Sequence, residues 1–281
     1  MRNMILPILM LSTLASAVER NDVEFAKPGG VALTLDLHVP DGSGPFPAAV
    51  IVHGGSFSHG NKRTYVTPLF DVLSNAGFAW FTINYRLAPD HQFPAAVDDV
   101  ESAIRWVKSN TAQYRLDARR IVLIGESAGG YLVAYAGVRP DHGGEVAAVV
   151  DFYGPNDLVL QTEKRRSEPE PTKPPEPGLM EFLGFKSWHE AGVVEKLRAV
   201  SPTTLISKHM PPFLFIHGNA DEQVPYEQSP KMCDAMRKAG AKCEVVTVKG
   251  GRHGMMSWEK DSSMAHWKPD MVAWLQKTHV K

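Results

Sequence analysis

The sequence predicts an α/β fold, a mostly parallel sheet covered by helices on both faces. Two observations point to it. Short apolar runs bounded by Gly, Pro, Asn and Asp alternate along the chain with stretches of helical periodicity. The runs around 48–52, 120–124, 147–152 and 212–216 are nearly continuous in apolar residues, as strands buried on both faces must be. A chain of 281 residues can enclose a sizeable core as one domain of this kind.

The elements follow in order. Glu24–Ala26 and Ala32–Val39 read as strands around the turn Lys27-Pro28-Gly29-Gly30, a hairpin. Ala48–Val52 is a buried strand, Thr67–Ala76 a helix and Phe78–Tyr85 a strand. Ala95–Tyr114 is the clearest helix. Val97, Val100, Ile104 and Val107 share one face, which Asp98, Asp99, Glu101 and Lys108 avoid. Arg120–Ile124 is a strand, Tyr131–Ala136 a helix and Ala147–Phe152 a strand. Between Asn156 and Ser201 a long insertion breaks the rhythm. Its first part, Glu168–Pro177, is rich in Pro, Glu and Lys and resists regular structure. Its second part carries Leu179, Phe182, Leu183, Phe185 and Trp188 in short helical patterns, and reads as a small cap over residues 156–200. Strands at Pro212–Gly218 and Cys243–Val248 and helices at Glu227–Ala239 and Ser262–Thr278 complete the series.

The first seventeen residues stand apart. Met1-Arg2-Asn3 is a short basic start, Met4–Leu14 an apolar run too short to span a bilayer, and Ala15-Ser16-Ala17 a cleavage-type tripeptide. Residues 1–17 are therefore expected to be a signal peptide and 18–281 the mature domain, secreted or periplasmic. The two cysteines, Cys233 and Cys243, are candidates for one disulfide in such a compartment.

A formal net charge of −1 gives no electrostatic basis for a nucleic-acid or anionic-membrane partner. The longest basic run, Lys164-Arg165-Arg166, reads as a solvated loop. No stretch after residue 17 is long and apolar enough to span a membrane. H-E-x-x-H, cysteine clusters, dinucleotide fingerprints and P-loops are absent, so neither metal nor cofactor is called for. The oligomeric state is left open.

The chemistry concentrates at strand exits. Gly125-Glu126-Ser127-Ala128-Gly129 follows one apolar run and opens a helix, the strand–turn–helix context in which G-x-S-x-G exposes a serine. A serine hydroxyl needs a base, and the base an orienting acid. Asp221 lies just past the run 212–218, and His253 just past 243–248, giving the order Ser, Asp, His. Rival acids are Asp151, Asp157 and Glu222, and His217 at a strand end reads as structural. Past 48–52, His53-Gly54-Gly55-Ser56-Phe57 can aim the N–H groups of Gly55 and Ser56, with that of Ala128, at a developing oxyanion. His53 and Gly54 shape that loop, Gly125 and Gly129 allow close approach, and Glu126 supports the turn by hydrogen bonding. Arg86 reads as an ion-pair partner. Phe57, Trp188 and Trp258 are the candidate pocket walls.

These motifs, H-G-G-S-F, N-Y-R-L-A-P (Asn84–Pro89) and G-E-S-A-G-G, resemble those of α/β-hydrolase serine carboxylesterases, in the hormone-sensitive-lipase-like and feruloyl- or acetyl-xylan-esterase-like branches. The resemblance runs from about Asp22 to the C-terminus. Ser56 departs from the lipase-like pattern, which has a third glycine there. The resemblance implies an α/β-hydrolase fold with a small cap and hydrolysis of short-chain esters. The ester is a small molecule or is linked to plant polysaccharide through acetyl or feruloyl groups. An arylformamidase-like amidase, or a catalytically silent binding protein on the same fold, are the alternatives.

Overall fold

The computed structural model describes residues 16–139, 146–169 and 178–279. Residues 1–15 of the expected leader and 170–177 of the Pro-rich tether lie outside them. Eight strands form one sheet in the order β1-β2-β4-β3-β5-β6-β7-β8. They are β1 (Val18–Ala26), β2 (Leu33–Val39), β3 (Phe46–Val52), β4 (Ala79–Ile83), β5 (Leu116–Glu126), β6 (Ala148–Phe152), β7 (Phe213–Gly218) and β8 (Cys243–Val248). The hairpin β1–β2 is antiparallel, β2 pairs antiparallel with β4, and every other pairing is parallel. Strands β3 and β5 to β8 therefore deliver their exit loops to one end of the sheet, where ligands of such sheets collect.

The central strands sort their side chains with period two. Ala48, Val50 and Val52 of β3 join one core, and Ala49 and Ile51 the other. Phe213 and Phe215 of β7 oppose Leu214 and Ile216 in the same way. The first core is closed by α2 (Ala95–Ser109), α4 (Ala128–Val138) and α8 (Gln228–Lys238). The second is closed by α1 (Pro68–Asn75) and α10 (Trp267–His279). Burying a Leu or Ile side chain contributes about 1.5–3 kcal/mol, so two such layers supply most of the driving force. Among the described residues no helix is long and apolar enough to cross a membrane.

Several sequence expectations need correction. The helix expected over Ala95–Tyr114 breaks at Asn110, and α3 (Thr111–Tyr114) follows as a separate turn. Asp99 and Glu101 avoid the valine face but are not solvated, being 1% and 5% exposed. Each meets an arginine. Arg86 grips Asp99 through Nε and Nη2, and Arg139 approaches Glu101 at 2.8 Å. Lys164-Arg165-Arg166 is not a loop but the last turn of α5 (Leu158–Ser167), where cations suit the helix dipole. Strand β1 starts earlier than its apolar residues suggest, because an edge strand with one solvated side accommodates Glu19, Arg20 and Asn21.

Among the described residues the insertion holds three short helices, α5, α6 (Leu179–Leu183) and α7 (Val193–Ala199). Asp157, a rejected rival acid, caps α5 by accepting from the N–H groups of Val159 and Leu160. Phe182 of α6 is fully buried, stacked on Phe57 with ring centroids 4.1 Å apart. The cap is thus seated on the loop after β3. Cys233 on α8 and Cys243 at the start of β8 are disulfide-bonded, with Cα atoms 5.6 Å apart.

Candidate active site

Ser127 sits between β5 and α4 with φ 54° and ψ −118°, a conformation an L-residue adopts only when its surroundings hold it. Two features hold it. Its N–H donates to Phe152 O of the neighbouring strand at 2.9 Å. Gly129, the second residue of α4, lies so close to β3 that a Cβ there would stand 2.2 Å from Val52 O. The hydroxyl is left at the carboxyl end of the sheet, at the start of α4.

The base and the acid arrive from the last two strand exits. His253 Nε2 lies 3.0 Å from Ser127 Oγ, and its Nδ1 lies 2.7 Å from Asp221 Oδ2. A carboxylate can only accept, so Nδ1 carries the proton and Nε2 presents its lone pair to the hydroxyl. Asp221 Oδ1 accepts from the N–H groups of Gln223 and Val224. Burial alone would raise this carboxyl. Hydrogen bonds from His217 and His253, the charge that His253 takes when protonated, and the Val224 N–H together hold it well below the usual carboxylate range. Glu222, the adjacent rival, turns outward to pair with Arg252 at 2.7 Å. Asp151, the third rival, is buried behind the site and bonded to the Gly154 N–H and the Asn156 amide.

The loop after β3 takes positive φ at three consecutive residues, Gly55 (109°), Ser56 (51°) and Phe57 (67°). The N–H groups of Gly55, Ser56 and Ala128 have no acceptor among the described residues. Ser56 and Ala128 also line the cavity above Ser127. His53 shapes this loop as expected. It is buried, its Nδ1 donates to Gly54 O at 2.6 Å, and burial depresses it to about 4, leaving it neutral. Its ring stacks on Tyr85 at 4.4 Å.

Glu126 does more than support the turn. Its buried carboxylate accepts from Gly54 N–H in the loop after β3, and a Cβ on Gly54 would overlap it at 2.2 Å. Burial, and then the charge of Glu126, push up the hydroxyl of Tyr153, which accepts from Met255 N–H beyond His253 and whose ring edge meets His253 at 4.8 Å. One carboxyl therefore ties the nucleophile turn to the loop after β3. Burial pushes it up to about 7, against the Gly54 hydrogen bond. Tyr153, with φ 43°, carried no sequence signal beyond its place after β6.

A cavity of about 1000 Å³ opens over Ser127 and His253. Phe57 and Trp188 line it as expected, with Leu179 and Met180 of the cap. Trp258 does not, which corrects the sequence reading. It is fully buried beneath the histidine loop, its indole N–H bonded to Arg252 O and its ring against Tyr153. An aromatic four residues past the histidine loop can face the cavity or the core, and α9 (Met255–Trp258) turns it inward. Polar residues also line it, among them Gln161, Glu163, Lys164 and Arg165 of α5, with Gln161 Nε2 donating to Gln223 O at 3.0 Å.

Residues 35–236 match the BD-FAE family model. The "Probable carboxylic ester hydrolase LipM" of Mycobacterium tuberculosis is 32% identical over 245 residues, covering 83% of this chain and 55% of the relative. The chain thus spans about half the length of the curated relatives it matches. Among solved structures, a truncated carbohydrate esterase from gut microbiota aligns with a TM-score of 0.78 at 28% identity, over 94% of this chain and 97% of that one. The thermophilic esterase Est2 of Thermogutta terrifontis, solved with propionate bound, aligns with a TM-score of 0.72 at 26% identity, over 92% and 93%.

Proposed function

The chain belongs to the BD-FAE family and has the α/β-hydrolase fold, and on that footing we propose that it is a serine carboxylesterase of short-chain esters. The observation that carries this reading is the unbroken hydrogen-bond line Ser127–His253–Asp221. In it, Ser127 Oγ attacks the ester carbonyl while His253 Nε2 takes the hydroxyl proton. The oxyanion is met by the N–H of Ala128 and by those of Gly55 and Ser56. His253 then protonates the departing alcohol, water enters by the same route, and the acyl-enzyme is hydrolysed. Asp221 keeps the proton of the neutral imidazole on Nδ1 and stabilises the imidazolium at each step.

The acyl group is short in this reading. The cavity over Ser127 is lined by Phe57 and Trp188, and the structural relative Est2 was solved with propionate. The alcohol portion is polar and carbohydrate-linked, which suits the charged and amide-bearing wall of α5 and the carbohydrate esterase among the relatives. Export in mature form from residue 18 is part of the same proposal, supported by the leader-like sequence and by a disulfide that an oxidising compartment would preserve. The test is kcat/KM across p-nitrophenyl esters from C2 to C16, with formylkynurenine and acetylated xylo-oligosaccharides alongside. We expect a maximum at C2–C4. A maximum at C8 or beyond refutes the short-acyl reading, preference for formylkynurenine refutes the esterase, and no turnover of any of them refutes the enzyme.

A further inference from the structure

The acid of this site has a second histidine. His217, the penultimate residue of β7, is fully buried, and its Nε2 lies 3.3 Å from Asp221 Oδ2, the same oxygen that receives His253. Nε2 also faces Val224 O at 3.2 Å. Both neighbours are acceptors, so Nε2 carries the proton and Nδ1 is the acceptor. Nδ1 lies 2.8 Å from the buried Ser229 hydroxyl on α8, which therefore donates to it. The chain of donors runs Ser229 to His217 to Asp221, with His253 entering from the other side. No atom of His217 or Ser229 lines the cavity.

We propose that His217 is a positioning residue for the ester hydrolysis inferred above, its tautomer fixed by Ser229, and that it tunes how strongly Asp221 holds His253. The role rests on the proposed esterase reading. Its physical basis is competition for one oxygen. Charge that Asp221 Oδ2 gives to His217 is not available to His253. Without His217 the carboxylate would pair more strongly with the His253 imidazolium and would also lose one of its anchors. The other ionisable groups around His217 are the Tyr153 and Tyr226 rings, at 6.2 and 5.6 Å, and the Asp151 carboxylate. None of them takes the place of Asp221 at Nε2.

The test compares His217→Leu, His217→Gln and Ser229→Ala with the wild type, using p-nitrophenyl acetate and far-UV circular dichroism. For His217→Leu the expected result is a fall in kcat of about tenfold with KM little changed. The acidic midpoint of the pH–kcat/KM profile should move upward by about half a unit. His217→Gln, whose amide can still donate to Asp221, should recover part of both effects. Ser229→Ala should move both in the same direction by less. Because an inactive wild type would undercut the esterase reading alone, the His253 imidazole is also titrated by NMR in each folded variant. An upward displacement there supports the inference whatever the substrate. An unmoved His253 titration in folded Leu and Ala variants overturns it, as does equal loss in Leu and Gln with unshifted profiles. If the Leu variant fails to fold, Ser229→Ala and His217→Gln decide.

Discussion

Ser127, His253 and Asp221 are contributed by three separate strand exits, yet the sequence discloses them, because each exit is announced by an apolar run and a Gly-rich turn. Ser127→Ala should abolish ester hydrolysis, by about 10⁴-fold or more, without changing the thermal midpoint. Parallel activity and melting curves check both halves of that statement. Glu126 carries a different prediction. Burial displaces its carboxyl from an ordinary 4.5 to about 7. Between those values the folded chain holds a proton that the unfolded chain has released. That contribution is full at low pH and is lost as pH rises through the window. The displacement is equivalent to about 3 kcal/mol. Glu126→Gln, which does not titrate, should therefore gain on the wild type by up to about that amount between pH 4.5 and 8. Urea unfolding at pH 4.5, 6 and 8 measures the difference, in which the contributions of Asp151 and His53 cancel. The sequence marked Glu126 as a hydrogen-bonding support of the turn but not its partner. Its bond to Gly54 depends on strand order, which no local pattern encodes.

At the scale of elements, the sequence places strands and helices well but misjudges what covers them. Helix α2 shows why. Its valine face is legible from a 3.6-residue period, but the burial of Asp99 and Glu101 depends on arginines at positions 86 and 139, outside the helix. Arg86→Met should cost about 3 kcal/mol, because it leaves the Asp99 carboxylate buried without its cation. Denaturant titration of that variant beside Asp99→Asn and the double variant would show a smaller loss when both partners are removed. In the cap, the aromatic residues do find a surface, and Phe182 against Phe57 is that contact. Trp188 and Trp258 could not be separated by sequence. Each follows a polar loop, and only the direction of the helix that ends at Trp258 sends it to the core.

For the whole molecule, the parallel sheet with its antiparallel hairpin follows from the alternation of elements, and the match over residues 35–236 agrees with it. That match stops before His253, whose loop follows the outermost strand. Among the described residues, strand β8 is hydrogen-bonded on one side only, to β7, and is the opposite edge of the sheet from β1. Edge elements open locally at lower free energy than central ones. Opening β8 would carry His253 away from Ser127 while the central strands stayed paired. The proposed esterase activity should thus be lost before the fold is. In rising urea, hydrolysis of p-nitrophenyl acetate should vanish at a lower concentration than the far-UV circular dichroism signal. Reducing the Cys233–Cys243 bond, which ties α8 to that edge, should widen the interval. Coincident curves, reduced and oxidised, would mean that the edge and the centre unfold as one unit. Loss of turnover would then be the earliest sign of damage at the rim of such a sheet.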